Sequence, residues 1–558
     1  MTNKKQKLIL FLVFIVAFFL RVLFLESVPV GLTDDEAAIS YNAYLISQTG
    51  KDEWGSFLPI QFRSFGDWKL PVYIYLLSIV FKFFPLSIFW TKIISVLLGS
   101  LTVVLLYYFV LLFLDKEKQK HSVALLSSLI LVFNPWHIGL SRTASEVNIG
   151  LFFFIGALYF FKLFLENKLK KAYLFFGLII ALICFFSYHS YRILLPLTFI
   201  YLYFINRERK QRKKLAVKIF LASIISAIFL FIFTQGKFLV RFYQLSLFSN
   251  TGIVDELNEF RGACLTKFPF SFCRLFFNKP VFWTKHLLFN YTSHLSPQFL
   301  FFPAFEKAYS ILPHYPYFYS FSILFFIIGI IASARNEKKR ILYFLLLISP
   351  FGSALTGRGN FTRAFPLVLP IVIFIALGMV YFFNFLKKIK LSFLILLPIL
   401  VYCFFGFEFL ISYFTYFPLR QARYSHYEYK PLFQYLKEVE SNYNHIYISR
   451  ANHDARQYIF YLFYFKIKPA EYFALEKDVE VEDGGWAWVR KLGKFEFIDN
   501  VESLKNYPEK SLLVVDPQTV KGFPKPMDKI TYPNNEGAFN IYDIDQVRLM
   551  LKPENEKD

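Results

Sequence analysis

The feature that most restricts this chain is a series of long, predominantly apolar runs, among them 89–114, 364–386 and 391–414. Each is long enough to cross a ~30 Å hydrocarbon layer as a helix, which takes roughly 18 to 20 residues. In lipid every backbone polar group must be satisfied within its own segment, and no alternating barrel pattern is present, so the runs read as spanning helices. Of the 558 residues, 56% are hydrophobic and 21% aromatic, which suits an all-α polytopic membrane bundle. The formal charge of +22 would suit a nucleic-acid partner. The basic residues, however, fall in short clusters between apolar runs, where they set orientation, so no nucleic acid is expected.

Those clusters lie at 4–7, 115–120, 167–171, 206–214, 335–340 and 387–390. If all are cytoplasmic, the crossings between consecutive clusters must come in pairs. From residue 121 onward they do: 121–139 with 148–166, 172–188 with 191–205, 215–235 with 317–334, and 341–356 with 364–386. A last span, 391–414, leaves the C-terminal segment outside. The first run, 8–25, follows "MTNKKQK" and lacks a small-residue cleavage site, so it reads as an uncleaved signal anchor. Between 26 and 114 only an odd number of crossings fits, yet two apolar pieces occur. The first, "PVYIYLLSIVFKFF" (71–84), is short, begins at Pro71 and carries Lys82, so it reads as an interfacial or re-entrant helix. The expectation is about 11 transmembrane helices with the N-terminus cytoplasmic.

The expected organisation is a transmembrane region, 1–414, with outer loops at 26–88 and 236–316, followed by an extracytoplasmic segment, 415–558. In that segment the strand-like runs "HIYISR", "KFEFID" and "SLLVVD" and the helix-like run "DARQYIFYLFYF" point to a small α/β domain. Cys264 and Cys273 share the 236–316 loop, in a space where disulfides persist, and are expected to pair. Cys184 and Cys403 fall within spans as packing residues.

Polar residues that orientation does not require gather at the outer face, in "TDDE" (33–36), "FGDWKLP" (65–71), "NPWHIGLSRTASEVN" (134–148), "SYHSYR" (187–192) and "TGRGNFTR" (356–363). Each has a plain structural role. "TDDE" is a capping box, Glu146 is a first-turn acid favoured by the helix dipole, Arg142, Arg192, Arg358 and Arg363 are lipid anchors, and His137 and His189 are interfacial histidines. Their concentration at one membrane boundary, where ionisable groups are usually functional, points instead to a shared cavity. Group transfer from a lipid phosphate fits such a cavity: the lipid tail stays in the bilayer, cations hold the phosphate, and a carboxylate takes a proton from the attacking hydroxyl. No phosphate-cradling Gly-rich motif is found, which argues against a nucleotide-driven pump.

The stretches "DDEAAISYNAYLISQTGKDEWGSFLPIQF" and "WKLPVYIYLLSIVFKFFPLSIFWTKIISVLLGSLTVVLLYYF" resemble the first outer loop and following span of the GT-C membrane glycosyltransferases of family 39 type. That group includes the protein O-mannosyltransferases and the lipid A aminoarabinose transferase. "SRTASEVNIGLFFFIGALYFF" resembles the family's second acidic outer turn, and "TRAFPLVLPIVIFIALG" a later Arg- and Pro-containing span. The resemblance covers residues 1–200 and, more loosely, 340–390. It implies that Asp35 takes the place of the catalytic acid with Glu36 as its neighbour, Glu146 that of the second acid, and Lys69 that of the basic residue before a proline. Trp68-Lys69-Leu70-Pro71 departs from the Glu-Lys-Pro of the aminoarabinose transferase, Glu146 stands where Asp is usual, and the mannosyltransferases' large luminal domain has no counterpart.

The implied activity is transfer of a sugar, with inversion, from a polyprenyl-phosphate donor to a protein, lipid or glycan acceptor on the outer side of the cytoplasmic membrane. Asp35 would be the general base and Glu146 would orient the acceptor or a divalent metal ion. Lys69, Arg142, His189, Arg192, Arg358 and Arg363 would bind the donor phosphate. The alternative, a transporter or lipid flippase, needs charges near mid-span, where most runs hold only Leu, Ile and Phe.

Overall fold

The structure, a computed structural model, describes residues 3–114, 119–166, 171–205, 246–303, 315–449, 456–481, 487–499, 501, 507–519 and 523–551. The expected span at 215–235 lies outside the described residues. In chain order the first helices are α1 (Asn3–Val22), α2 (Asp34–Thr49), α3 (Pro71–Phe81), α4 (Ile88–Phe113), α5 (Lys120–Val132), α6 (Pro135–Ser141), α7 (Glu146–Glu166), α8 (Lys171–Phe185) and α9 (His189–Ile205). The chain divides into two compact units, each built from two separate stretches: Met1–Leu23 with Ser95–Phe409, and Phe24–Ile94 with Leu410–Asp558.

Described helices long and apolar enough to cross a membrane are Ile88–Phe113, Glu146–Glu166, Phe361–Lys388 and Ser392–Gln421, and α5 with α6 makes a fifth if the bent pair is one span. These helices make the chain an integral membrane protein. The α5–α6 bend of 59° has a local cause. Pro135 disfavours the α region for the residue before it, and Asn134 is extended (φ −72°, ψ 122°). The Asn134 side chain then accepts the His137 N–H at 2.9 Å and restarts the helix. The expected spans at 172–188 and 317–334 are shorter as helices, Lys171–Phe185 and Ser322–Ser333.

Within the first unit, the helices Ser322–Ser333 and Val368–Lys388 meet at two glycines. A Cβ on Gly329 would stand 1.9 Å from the Phe374 carbonyl oxygen, and one on Gly378 would stand 1.8 Å from that of Phe325. Only glycine lets the two backbones approach so closely, the small-residue packing that holds helices together in lipid.

The second unit is mixed. A two-stranded hairpin, β1 (Phe62–Ser64) with β2 (Asp67–Lys69), precedes α3. The later part carries a seven-stranded sheet of β3 (His445–Ser449), β4 (Lys477–Val481), β5 (Ala487–Leu492), β6 (Phe495–Ile498), β7 (Ser511–Val515), β8 (Asp528–Thr531) and β9 (Gly537–Asp543). Its order is β4-β5-β6-β3-β7-β9-β8. The central strand β3 runs parallel to both β6 and β7, and the outer pairs are antiparallel. Every residue of β7 is buried, as expected of a strand covered on both faces. On one face Ile544 and Val547 of the C-terminal helix pack with Leu513, Val515 and Tyr542. The helix Gln457–Phe465 lies against both α2 and the helix Tyr429–Val439. The Tyr41 hydroxyl donates to the Ile467 carbonyl at 3.0 Å, so the early loop and the late sheet segment form one packed body.

Candidate active site

The acidic triplet opens α2, and each acid has a different partner. Thr33 is the N-cap, its hydroxyl accepting the Glu36 N–H at 3.2 Å while the Glu36 carboxylate accepts the Thr33 N–H at 3.0 Å. This reciprocal pair is the capping box read from "TDDE". Asp34 accepts the Asp35 N–H at 2.9 Å through one oxygen and is ion-paired with Arg456 through the other. Asp35 is ion-paired with Lys69.

Local chemistry explains how Lys69 reaches Asp35. The hairpin turns through Phe65 (φ 55°) and Gly66 (φ 91°), the pair of positive φ values that a tight two-residue turn between right-twisted strands requires. Pro71 then starts α3 after an extended Leu70, so the last residue of β2 is held at the strand-to-helix corner. The Lys69 side chain is 4% exposed, whereas that of Asp35 is 56% exposed. A buried ammonium thus fixes a carboxylate that faces solvent. Phe65 is buried and supports Arg456, whose guanidinium lies 5.3 Å above its ring.

Behind this corner sits Glu53, 2% exposed. Its carboxylate accepts from the Asn42 amide and the Tyr458 hydroxyl, both at 2.9 Å, and the Tyr472 hydroxyl donates to its backbone carbonyl at 2.9 Å. Burial pushes its pKa up from 4.5 to about 7, with a smaller push from Asp52; the Asn42 and Tyr458 hydrogen bonds and the Lys69 charge oppose the rise.

The first unit holds a second polar cluster. Glu146 begins α7 and lies within electrostatic reach of Arg192. Arg192 contacts His189 Nδ1 at 3.2 Å and donates to the Phe185 carbonyl at 3.3 Å. The Ser190 hydroxyl donates to the Arg363 carbonyl at 3.1 Å, tying the start of α9 to the Arg363 turn. Arg142 is placed elsewhere, fully buried, donating to the Leu20 and Leu23 carbonyls at 2.9 and 2.6 Å. It caps the C-terminal end of α1, where a cation is favoured. His137 is also buried, 2.7 Å from an Arg21 nitrogen that also donates to the Leu131 carbonyl of α5. Arg358 stacks 4.8 Å over Phe289. Cys264 and Cys273 are joined in a disulfide.

Among the residues expected at a site, the structure therefore pairs Asp35 with Lys69 and groups Glu146 with His189 and Arg192. Glu36 closes a cap and Arg142 closes a helix end. Arg456, Glu53 and Tyr458 were not singled out from the sequence. Arg456 lies in the segment expected to be a separate α/β domain, and Glu53 in the first outer loop at a position to which the resemblance gives no role, so only the folded contacts mark them. Among the described residues no three His, Cys, Asp or Glu side chains come together as a metal site.

Residues 69–234 match the family described as dolichyl-phosphate-mannose-protein mannosyltransferase. No curated protein matches. Among solved structures, ArnT from Cupriavidus metallidurans bound to undecaprenyl phosphate superposes with a TM-score of 0.51 at 10% identity, over 97% of this chain and 98% of that one. The Archaeoglobus fulgidus oligosaccharyltransferase tethered to an acceptor peptide with the NVT sequon gives 0.45 at 14% identity, over 78% of this chain. The match spans only 57% of that longer protein. The fold is that of the GT-C membrane glycosyltransferases.

Proposed function

We propose that this chain, with its GT-C glycosyltransferase fold, moves a sugar from a polyprenyl-phosphate donor to a hydroxyl-bearing acceptor at the extracytoplasmic face of the membrane. The N-terminus is cytoplasmic in this reading and the sheet-bearing segment lies outside. The observation that carries it is the Asp35–Lys69 pair, an accessible carboxylate fixed by a buried ammonium at a helix start.

Asp35 accepts the proton of the acceptor hydroxyl as that oxygen bonds to the anomeric carbon. The bond from that carbon to the phosphate oxygen breaks, and its electron pair leaves with the polyprenyl phosphate. Attack opposite the leaving group inverts the anomeric centre. The Lys69 ammonium, beside the carboxylate, holds it in place against the acceptor hydroxyl. Glu36 holds the helix start, and Glu146, His189, Arg192 and Arg363 are assigned to donor binding.

The test is a transfer assay with purified protein, a polyprenyl-phosphate sugar and membranes as acceptor source. Sugar incorporation by the wild-type chain that disappears in Asp35→Asn supports the reading, and equal incorporation by both removes Asp35 from it.

A further inference from the structure

A cleft of about 340 Å³ opens in the first unit between the helix Thr251–Leu265, the helix Lys279–Leu295 and the turn at 356–358. That volume lies at the small end of the range for ligand pockets. Leu247 and Ile253 form an apolar, buried wall. Glu256, His286, Asn290, Thr356 and Arg358 line the same cleft.

Each polar group is held in place. One Glu256 oxygen meets His286 Nε2 at 2.8 Å, and the other lies 3.8 Å from Lys285 Nζ. Asn290 donates to the Ala354 carbonyl at 3.1 Å, and the Thr356 hydroxyl donates to that of Ser353 at 2.9 Å. Phe289 supports the Arg358 guanidinium from one face. Gly357, at φ +139°, leaves open space where a Cβ would stand, so the rim beside Arg358 stays bare. The Cys264–Cys273 disulfide ties the Glu256 helix to the helix Phe270–Phe276 that follows it.

We infer that this cleft binds a neutral, hydroxyl-rich ring, a pyranose unit of a glycan. The inference rests on the glycosyltransferase reading and adds a place for a sugar that does not use Asp35. Hydroxyl groups both donate and accept, and the cleft offers both: carboxylate, amide and hydroxyl oxygens on one hand, the Arg358 guanidinium on the other. A phosphate would lie against Glu256 and a cation against Arg358, each at a like-charge cost. A wholly apolar ligand would strip water from Glu256 and Arg358 without replacing its hydrogen bonds. A pyranose presents C–H groups to Leu247 and Ile253 and hydroxyls to the polar wall. The donor's sugar and a glycan acceptor carry this same chemistry.

Saturation-transfer NMR on the full chain in lipid nanodiscs, with methyl glycosides of neutral hexoses and inorganic phosphate as probes, tests it. The expected result is saturation of at least one glycoside, weakened about tenfold or more in both Glu256→Gln and Arg358→Ala and retained in Asp35→Asn, with no competition by phosphate. No glycoside signal, a signal indifferent to both substitutions, or displacement by phosphate overturns the proposal. His286→Gln serves as a third variant if either of the first two fails to fold. In transfer assays of Glu256→Gln, a raised KM for the polyprenyl-phosphate sugar assigns the cleft to the donor, and a raised KM for acceptor membranes assigns it to the acceptor. Glycoside binding by a wild-type chain that transfers nothing would leave the sugar site standing and remove the glycosyltransferase reading.

Discussion

Arg456 and Asp34, 422 residues apart in sequence, share a charge-assisted hydrogen bond in which a guanidinium N–H is donated to the carboxylate. The other Asp34 oxygen accepts the Asp35 N–H. A residue at the edge of the sheet-bearing segment therefore helps to fix the backbone from which Asp35 projects.

Arg456→Ala is expected to lower transfer about tenfold, because losing a charged hydrogen bond costs about 1.5 to 3 kcal/mol and part of that falls on the geometry of Asp35. Arg456→Lys should restore part of the loss. A double-mutant cycle with Asp34→Asn measures the coupling, and additive effects would show that the contact does not act on Asp35.

Asp35→Asn is expected to reduce transfer by about 10²- to 10⁴-fold, the usual contribution of a general base, with protein level and melting temperature unchanged. Lys69→Ala should lower transfer as well, with a drop in stability because its ammonium is buried between Asp35 and Glu53. Initial rates with melting curves for both variants separate the two roles.

Glu53 makes stability depend on pH. Its folded pKa is about 7 against 4.5 unfolded, so between those values the folded chain binds the extra proton and stability falls as pH rises. The contribution is complete below about 4.5, is lost through about 7, and amounts to about 3 kcal/mol as an order of magnitude. Melting of the detergent-solubilised chain between pH 5 and 8 should decline with pH, and Glu53→Gln should flatten that slope. A wild-type profile that rises over this interval would contradict the assignment.

Arg142 and Arg192 should respond differently to removal. Arg142→Ala uncovers the Leu20 and Leu23 carbonyls inside the protein and is expected to cost about 1 to 3 kcal/mol, seen as reduced yield and melting temperature. Arg192→Ala, beside Glu146 and His189, is expected to raise the donor KM severalfold. Equal donor kinetics for wild type and Arg192→Ala would take Arg192 out of donor binding.

Much of this was legible because it depends on neighbours in sequence. "TDDE" encodes its capping box within four residues, and Lys69 is placed by a turn and a proline only a few positions away. "HIYISR", "KFEFID" and "SLLVVD" became β3, β6 and β7 because short runs rich in β-branched and aromatic residues favour the pleated, buried setting of a sheet. What stayed hidden depends on distant contacts. No periodicity in "DARQYIF" assigns Arg456 to Asp34, and nothing around Glu53 indicates that Tyr458 and Tyr472 will enclose it. Arg142 shows the converse. Its position in an outer turn suggested a ligand, but two carbonyls at the C-terminal end of α1 and just beyond it, more than a hundred residues earlier, take both ends of its guanidinium.

The docking of α2 on the helix Gln457–Phe465 bears on how the chain is made. Tyr41, Glu53 and the acids of α2 leave the ribosome early, whereas the tyrosines and arginine that enclose them are translated only after the intervening helices have had to enter the bilayer. Closing so large a loop is slow, and the nascent loop waits with unmatched buried groups. Stopping synthesis ahead of residue 456 would leave the acidic start of α2 without its guanidinium clamp.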